Sequence, residues 1–281
     1  MCELNKKFKE WKKWYSDGEN SICAQISCML LDAAIFYAIN EARRHATTDA
    51  QGNPELNCLV HDFIDRSFLK TQALSIRKLC DNRNDVISLR ILINDMETNK
   101  SIITREKILF ALEFLCDYGQ GTNMQEVHLR IMHKNIDLLV GVSPQQRQPN
   151  DFIQDCIFDR LKKWLDKCEP IINSVNKIVA HAATQKSKEK VPTKDLTISL
   201  AKIHKAHCCI VRVAAFIGQV ILYESSGWNF LPTYAGGDKF EYIERPLIMK
   251  NNIEKLEILW SSYDKHIKQL STQPEKRFIK K

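Results

Sequence analysis

Apolar residues recur along most of the chain at spacings of three and four, the period of a helix with one buried face. Ile22, Ile26, Met29, Leu30, Ala33, Ala34 and Tyr37 predict a helix over 22–44, which the Gly and Pro of "TTDAQGNPE" end. A second is predicted over 55–80, through Leu59, Phe63, Leu74 and Leu79. The polar turn "DNRND" follows, and Asp85 is placed to cap a short helix ending near Met96. Thr104 opens a helix continuing to Tyr118, and 124–140 carries another. Asp151 and Gln154 have the spacing of a capping box for Phe152–Cys168, whose stripe is Ile153, Ile157, Leu161, Trp164, Leu165 and Cys168. Pro170 then falls in the first turn of the next helix, where proline is tolerated. Leu196–Tyr223 is the longest predicted helix, and 252–270 the last.

No stretch shows sustained strand alternation, and the chain has no internal repeat. The pattern predicts an all-α helical bundle with accessory N- and C-terminal helices. A single domain over 1–281 is expected, with a core over 20–225 and an accessory aromatic loop and C-terminal helix over 226–281. Composition agrees: 9 Gly and 8 Pro in 281 residues leave little turn material for a many-stranded β fold. The longest apolar run, "CCIVRVAAFIGQVILY", is short for a bilayer span and is interrupted by Arg212 and Gln219. It is read as a core helix, with no membrane association. The early run "CMLLDAAIFYAI" contains Asp32 and follows a charged amphipathic segment, unlike a secretory leader.

Ten cysteines form no Cys-x-x-Cys pair, and most lie in helical apolar stripes, where a thiol acts as a small hydrophobe. A reducing, cytoplasmic location fits them. The net charge of +7 permits contact with phosphate. Many lysines, however, sit in "NKKFKEWKKW" and "EKRFIKK", which read as solvating tails. The charged segment "TQKSKEKVPT" is the clearest linker candidate.

The chain contains no phosphate-binding Gly-rich loop, nucleophile elbow or His-Glu-x-x-His. His204 and His207 share a helix face beside Cys208 but lack a third ligand at matching spacing, so neither metal nor other cofactor is expected. The stretch "NSVNKIVAH" carries more. At about 100° per residue, Ile171, Val175, Ile178 and Ala182 line one face, while Asn173, Lys177 and His181 lie on the other. An ammonium one turn away disfavours the imidazolium. Neutral imidazole can take the proton of a ribose 2′-hydroxyl while lysine holds the phosphate. The plainer reading is a histidine whose charge suits a helix C-terminus.

"NKIVAH" resembles the signature of the HEPN superfamily, in particular its abortive-infection AbiU type: Arg, a polar residue, a few apolar residues and Ala-His. The block "LSIRKLCDNRNDVISLRILINDM", Leu74–Met96, is similar to that type as well. The two matches cover about a tenth of the chain, in the expected order. The resemblance implies a HEPN-type bundle that often dimerises, metal-independent RNA cleavage, and a place in phage defence or toxin–antitoxin systems. RNA, a second copy of the chain and an antitoxin or defence protein are the implied partners.

On that resemblance His181 is the general base, Lys177 and Arg83 neutralise the phosphate, and Asn176 orients it. Arg77, Arg83 and Asp81 from the upstream block are the substrate-binding candidates; Arg77 and Asp81 also have the spacing of an ion pair. Ser88 is expected to face a neighbouring helix. Val175 stands where the family has its arginine. Two expectations follow: an RNA-acting endoribonuclease, or a catalytically silent bundle that binds a protein partner. Trp228, Phe230 and Tyr234 could stack on bases or cover the end of the bundle.

Overall fold

A computed structural model of the chain describes residues 3–52, 55–113, 123–179, 197–224, 230 and 253–271. The chain divides into two compact units, Met1–Thr233 and Tyr234–Lys281. The first contains α1 (Glu3–Ser16), α2 (Ile22–Arg44), α3 (Cys58–Leu79), α4 (Leu89–Thr98) and α5 (Arg105–Glu113). It continues with α6 (Asn123–Val140), α7 (Asp155–Asp166), α8 (Glu169–Ser174) and α9 (Leu200–Phe216). Both α8 and α9 run on into π-helical turns, Val175–Val179 and Ile217–Leu222. The described residues hold no β-strand beyond an isolated bridge between Thr104 and Phe152, so the chain is all-helical. The second unit presents α10 (Ile253–Ser271), where Leu256, Ile258, Leu259 and Trp260 are exposed.

The lysine-rich start corrects the reading of it as a solvating tail. Leu4, Phe8, Trp11 and Tyr15 follow one another at helical spacing and are all buried in the main core. Each large side chain so buried contributes roughly 1.5–3 kcal/mol. Polar contacts then fix the helix in place. The Trp11 indole N–H donates to Asp95 Oδ2 at 2.6 Å, Lys7 Nζ lies 3.0 Å from the same carboxylate, and the Tyr15 hydroxyl donates to the Ala214 carbonyl at 2.9 Å.

Helix faces moved where the sequence offered two apolar phases. In α3 the buried residues are Phe68, Ala73, Ile76 and Leu79 with Gln72, whereas Leu59, Phe63 and Leu74 are exposed. In α2 Phe36 is buried and Tyr37 exposed, because Phe36 stacks on Phe68 with ring centroids 3.7 Å apart. The cap of α4 is Ser88, in place of Asp85: its Oγ accepts from the Ile91 N–H at 3.1 Å and donates to the Asp81 carbonyl at 2.6 Å. The hydroxyl thereby ties the turn before α4 to its first residues.

Asp151 is not a cap of α7, which begins at Asp155. Its carboxylate accepts from Arg105 Nε at 2.8 Å. Arg105 is 4 % exposed and also reaches Asp137 at 2.9 Å, and Arg147 clasps Asp137 with two nitrogens. The Arg147 hydrogen bonds hold the Asp137 carboxyl below the usual carboxylate range, against the opposing effect of burial. This network pins α5, α6 and the loop preceding α7 together.

The α9 helix with its π turn, Leu200–Leu222, is longer than the apolar run marked in the sequence. It and α2, 23 residues each, are long and apolar enough to cross a bilayer by length and composition. Ile203, Ala206, Cys209, Ile210, Val213 and Ile217 of α9 are packed into the core.

Candidate functional site

The end of α3 packs against α8 and the π turn that follows it. Pro170 sits in the first turn of α8, as its missing N–H permits. Four residues later the Ser174 hydroxyl donates back to the Pro170 carbonyl at 3.0 Å. From Val175 the backbone widens into i→i+5 bonding, which adds a residue to the turn. The uniform 100° step therefore fails over Val175–Val179. Ile171 and Val175 are buried on the expected side. His181 and Ala182 lie outside the described residues.

The seam between α3 and α8 opens as a cleft of about 400 Å³, within the roughly 300–1,000 Å³ common for ligand sites. Three of the residues singled out in the sequence meet there: Arg77, Asp81 and Asn176. Among the described residues, Lys177 and Arg83 do not line it. Lys177 is half-buried, and Arg83 is exposed, with its Nε 3.3 Å from Asp81 and 3.8 Å from Asp85. The expected Arg77–Asp81 pair is absent. Helix α3 stops at Leu79 with Cys80 as its cap, and Asp81 turns to Arg83, accepting that residue's backbone N–H at 3.0 Å.

The sequence reading missed the other walls. Arg90 and Asn94 enter from α4, Asp166 and Glu169 from the α7–α8 turn. Arg90 is held by Asp166 at 2.6 Å, and Asn94 donates to Asn82 at 2.8 Å. Two guanidiniums thus face three carboxylates, a nearly balanced lining rather than a basic one. Arg77 has no ion-pair partner among the described residues, which leaves it as the cleft cation available to an anionic group. Arg90 lies two residues past Ser88, inside the block Leu74–Met96 quoted from the sequence, whereas its pairing with Asp166 carries no local signal.

Elsewhere α7 and α9 enclose an apolar groove of about 230 Å³, formed by Leu161, Trp164, Val213 and Phe216 with Arg160 and Arg212. Lys167 Nζ sits 3.3 Å from the Trp164 ring centroid and Arg212 lies 5.4 Å from it, so both cations are engaged by the indole face. His204 and His207 do not share a site. His204 is exposed, 3.7 Å from Cys208 Sγ, whereas His207 is buried and its Nε2 has no partner among the described residues. Burial, with His204 assisting, pushes the His207 pKa down to about 4. No group of three metal-ligating side chains gathers among the described residues. Phe230 is buried against the core, in the covering role; Trp228 and Tyr234 lie outside the described residues.

Comparison with protein-family models, with curated proteins and with solved structures finds no match for this chain.

Proposed function

We propose that this chain is a HEPN-like protein of the abortive-infection type that acts on RNA at the α3–α8 cleft. One observation carries the reading. The two segments that resemble the HEPN signature lie far apart in sequence, yet they contribute Arg77, Asp81 and Asn176 to one cleft. In this reading a phosphodiester meets the Arg77 guanidinium, Asn176 orients it, and His181, beyond the π turn, takes the 2′-hydroxyl proton. Lys177 adds positive charge from the neighbouring side of the turn. A second copy of the chain completes the site, and the setting is cytoplasmic phage defence or a toxin–antitoxin pair.

A catalytically silent form of the same bundle is the second reading, and a specific observation favours it. Val175, at the position of the family's arginine, is fully buried, and Arg90 is already held by Asp166. A missing charge-stabilising donor costs about 3–4 kcal/mol, or roughly 100- to 1000-fold in turnover. The experiment is incubation of the purified protein with labelled transfer RNA and structured RNA in chelator, beside His181→Ala and Arg77→Ala. Cleavage that survives chelator and is lost in both variants supports the enzyme. Intact RNA in every tube, with binding retained by wild type and weakened in Arg77→Ala, supports the silent form. If RNA is neither cut nor bound, the RNA reading is wrong.

A further inference from the structure

The groove between α7 and α9 joins hydrocarbon walls to uncompensated positive charge. Ile157, Arg160, Leu161 and Trp164 fall at i, i+3, i+4 and i+7 of α7, so one helix face supplies all four. Arg212, Val213 and Phe216 face them from α9. Leu161 and Val213 are buried, while Ile157, Trp164 and Phe216 are half-buried. Both arginines are exposed, and neither forms an ion pair among the described residues. Arg212 lies 5.4 Å from the Trp164 ring centroid. Stacking on an indole leaves a guanidinium its full charge and its N–H donors.

We propose that this groove binds a small carboxylate with an apolar body, a single aromatic ring or a short acyl chain. Its volume of about 230 Å³ exceeds the roughly 150 Å³ of an apolar cavity that takes up benzene, so one substituted ring fits. The body buries against Leu161, Val213 and Phe216, where removing apolar surface from water supplies the affinity. The carboxylate meets Arg160 or Arg212 through paired N–H donors, the strong geometry for a guanidinium. The arginines decide the ligand class. A neutral molecule leaves both without a partner, and a cation is repelled by the two of them.

The groove shares no lining residue with the α3–α8 cleft, and the proposal does not depend on the RNA reading. The cleft sets three carboxylates against two guanidiniums, whereas no carboxylate lines the groove among the described residues. Of the two, the groove is therefore the better seat for a small anion.

The test titrates the full chain with 4-phenylbutyrate, and with 4-phenylbutanol as the neutral counterpart. Trp164 lines the groove, so tryptophan emission should change saturably. A dissociation constant of roughly 0.1–1 mM is expected for about a dozen heavy atoms. Loss of the change in Trp164→Phe identifies the reporter among the five tryptophans. The alcohol should bind about fivefold more weakly or worse. Arg160→Gln combined with Arg212→Gln should weaken the acid about tenfold; both sites are exposed, so circular dichroism should show an unchanged fold. Ile157→Phe, which fills the groove from a half-buried position, should abolish binding. The proposal is overturned if no saturable change appears up to about 10 mM acid, or if the double variant binds as wild type does. Equal affinity for acid and alcohol overturns it too, and makes the groove a seat for a neutral apolar side chain of a partner protein.

Discussion

Replacing His207 with leucine should flatten the acid limb of this protein's stability. His207 is buried in α9, 5 % exposed, and its Nε2 finds no partner among the described residues. Burial disfavours the imidazolium and pushes the pKa from 6.5 to about 4. The folded pKa lies below the unfolded one, so between them the unfolded chain binds the extra proton and stability rises with pH. The contribution is complete above the unfolded pKa and is lost as pH falls from 6.5 to about 4. At about 1.4 kcal/mol per tenfold, that interval is worth roughly 3 kcal/mol, most of which is gone near pH ~4.5. The assay is urea denaturation followed by circular dichroism, for wild type and His207→Leu, at neutral pH and near pH ~4.5. Wild type should lose roughly 2–3 kcal/mol more than the variant over that step. Parallel losses in the two proteins would mean that the imidazole is solvated or paired in the native state, and the burial argument would be wrong.

Three further outcomes follow from packing and charge. Arg105→Met should lower stability by about 3–5 kcal/mol, because Asp151 and Asp137 lose a buried guanidinium; a loss under about 1 kcal/mol in a urea titration would show the network to be screened. Val175→Arg, which introduces the arginine that the HEPN resemblance would place there, should destabilise by several kcal/mol and gain no RNA cleavage, since position 175 is sealed; a stable variant with new nuclease activity refutes this. Ser88→Ala should cost about 1 kcal/mol through the lost cap, and Asp85→Ala less than about 0.5 kcal/mol; the reverse order in thermal melts would return the cap to Asp85.

The helices themselves were legible because their signal is local. A repeat of three and four, with Gly and Pro at the breaks, is a property of consecutive residues, and Ile22–Arg44, Asn123–Val140 and Ile253–Ser271 lie close to where that repeat put them. The all-helical class followed from the same pattern. The partners of each face were not legible. The sequence reading placed Leu74 in the apolar stripe of α3, and packing against the rest of the bundle buried Ala73 instead. The lysines of α1 suggested solvent, but four apolar side chains had a core waiting for them. Charge pairs behaved likewise. Spacing linked Arg77 to Asp81, whereas the end of α3 at Leu79 turned Asp81 towards Arg83. Periodicity also assumed a uniform helical step through Val175–Val179, which the π turn breaks. Sequence alone therefore determined most of the helical segments, α1 excepted, and named Arg77, Asp81 and Asn176 as residues of interest. Tertiary structure alone decided that those three share a cleft, that Arg90 is held by Asp166 there, and that Val175 is closed to solvent. The reason is one of range: backbone hydrogen bonding is settled within a turn, while burial and ion pairing depend on residues far away along the chain.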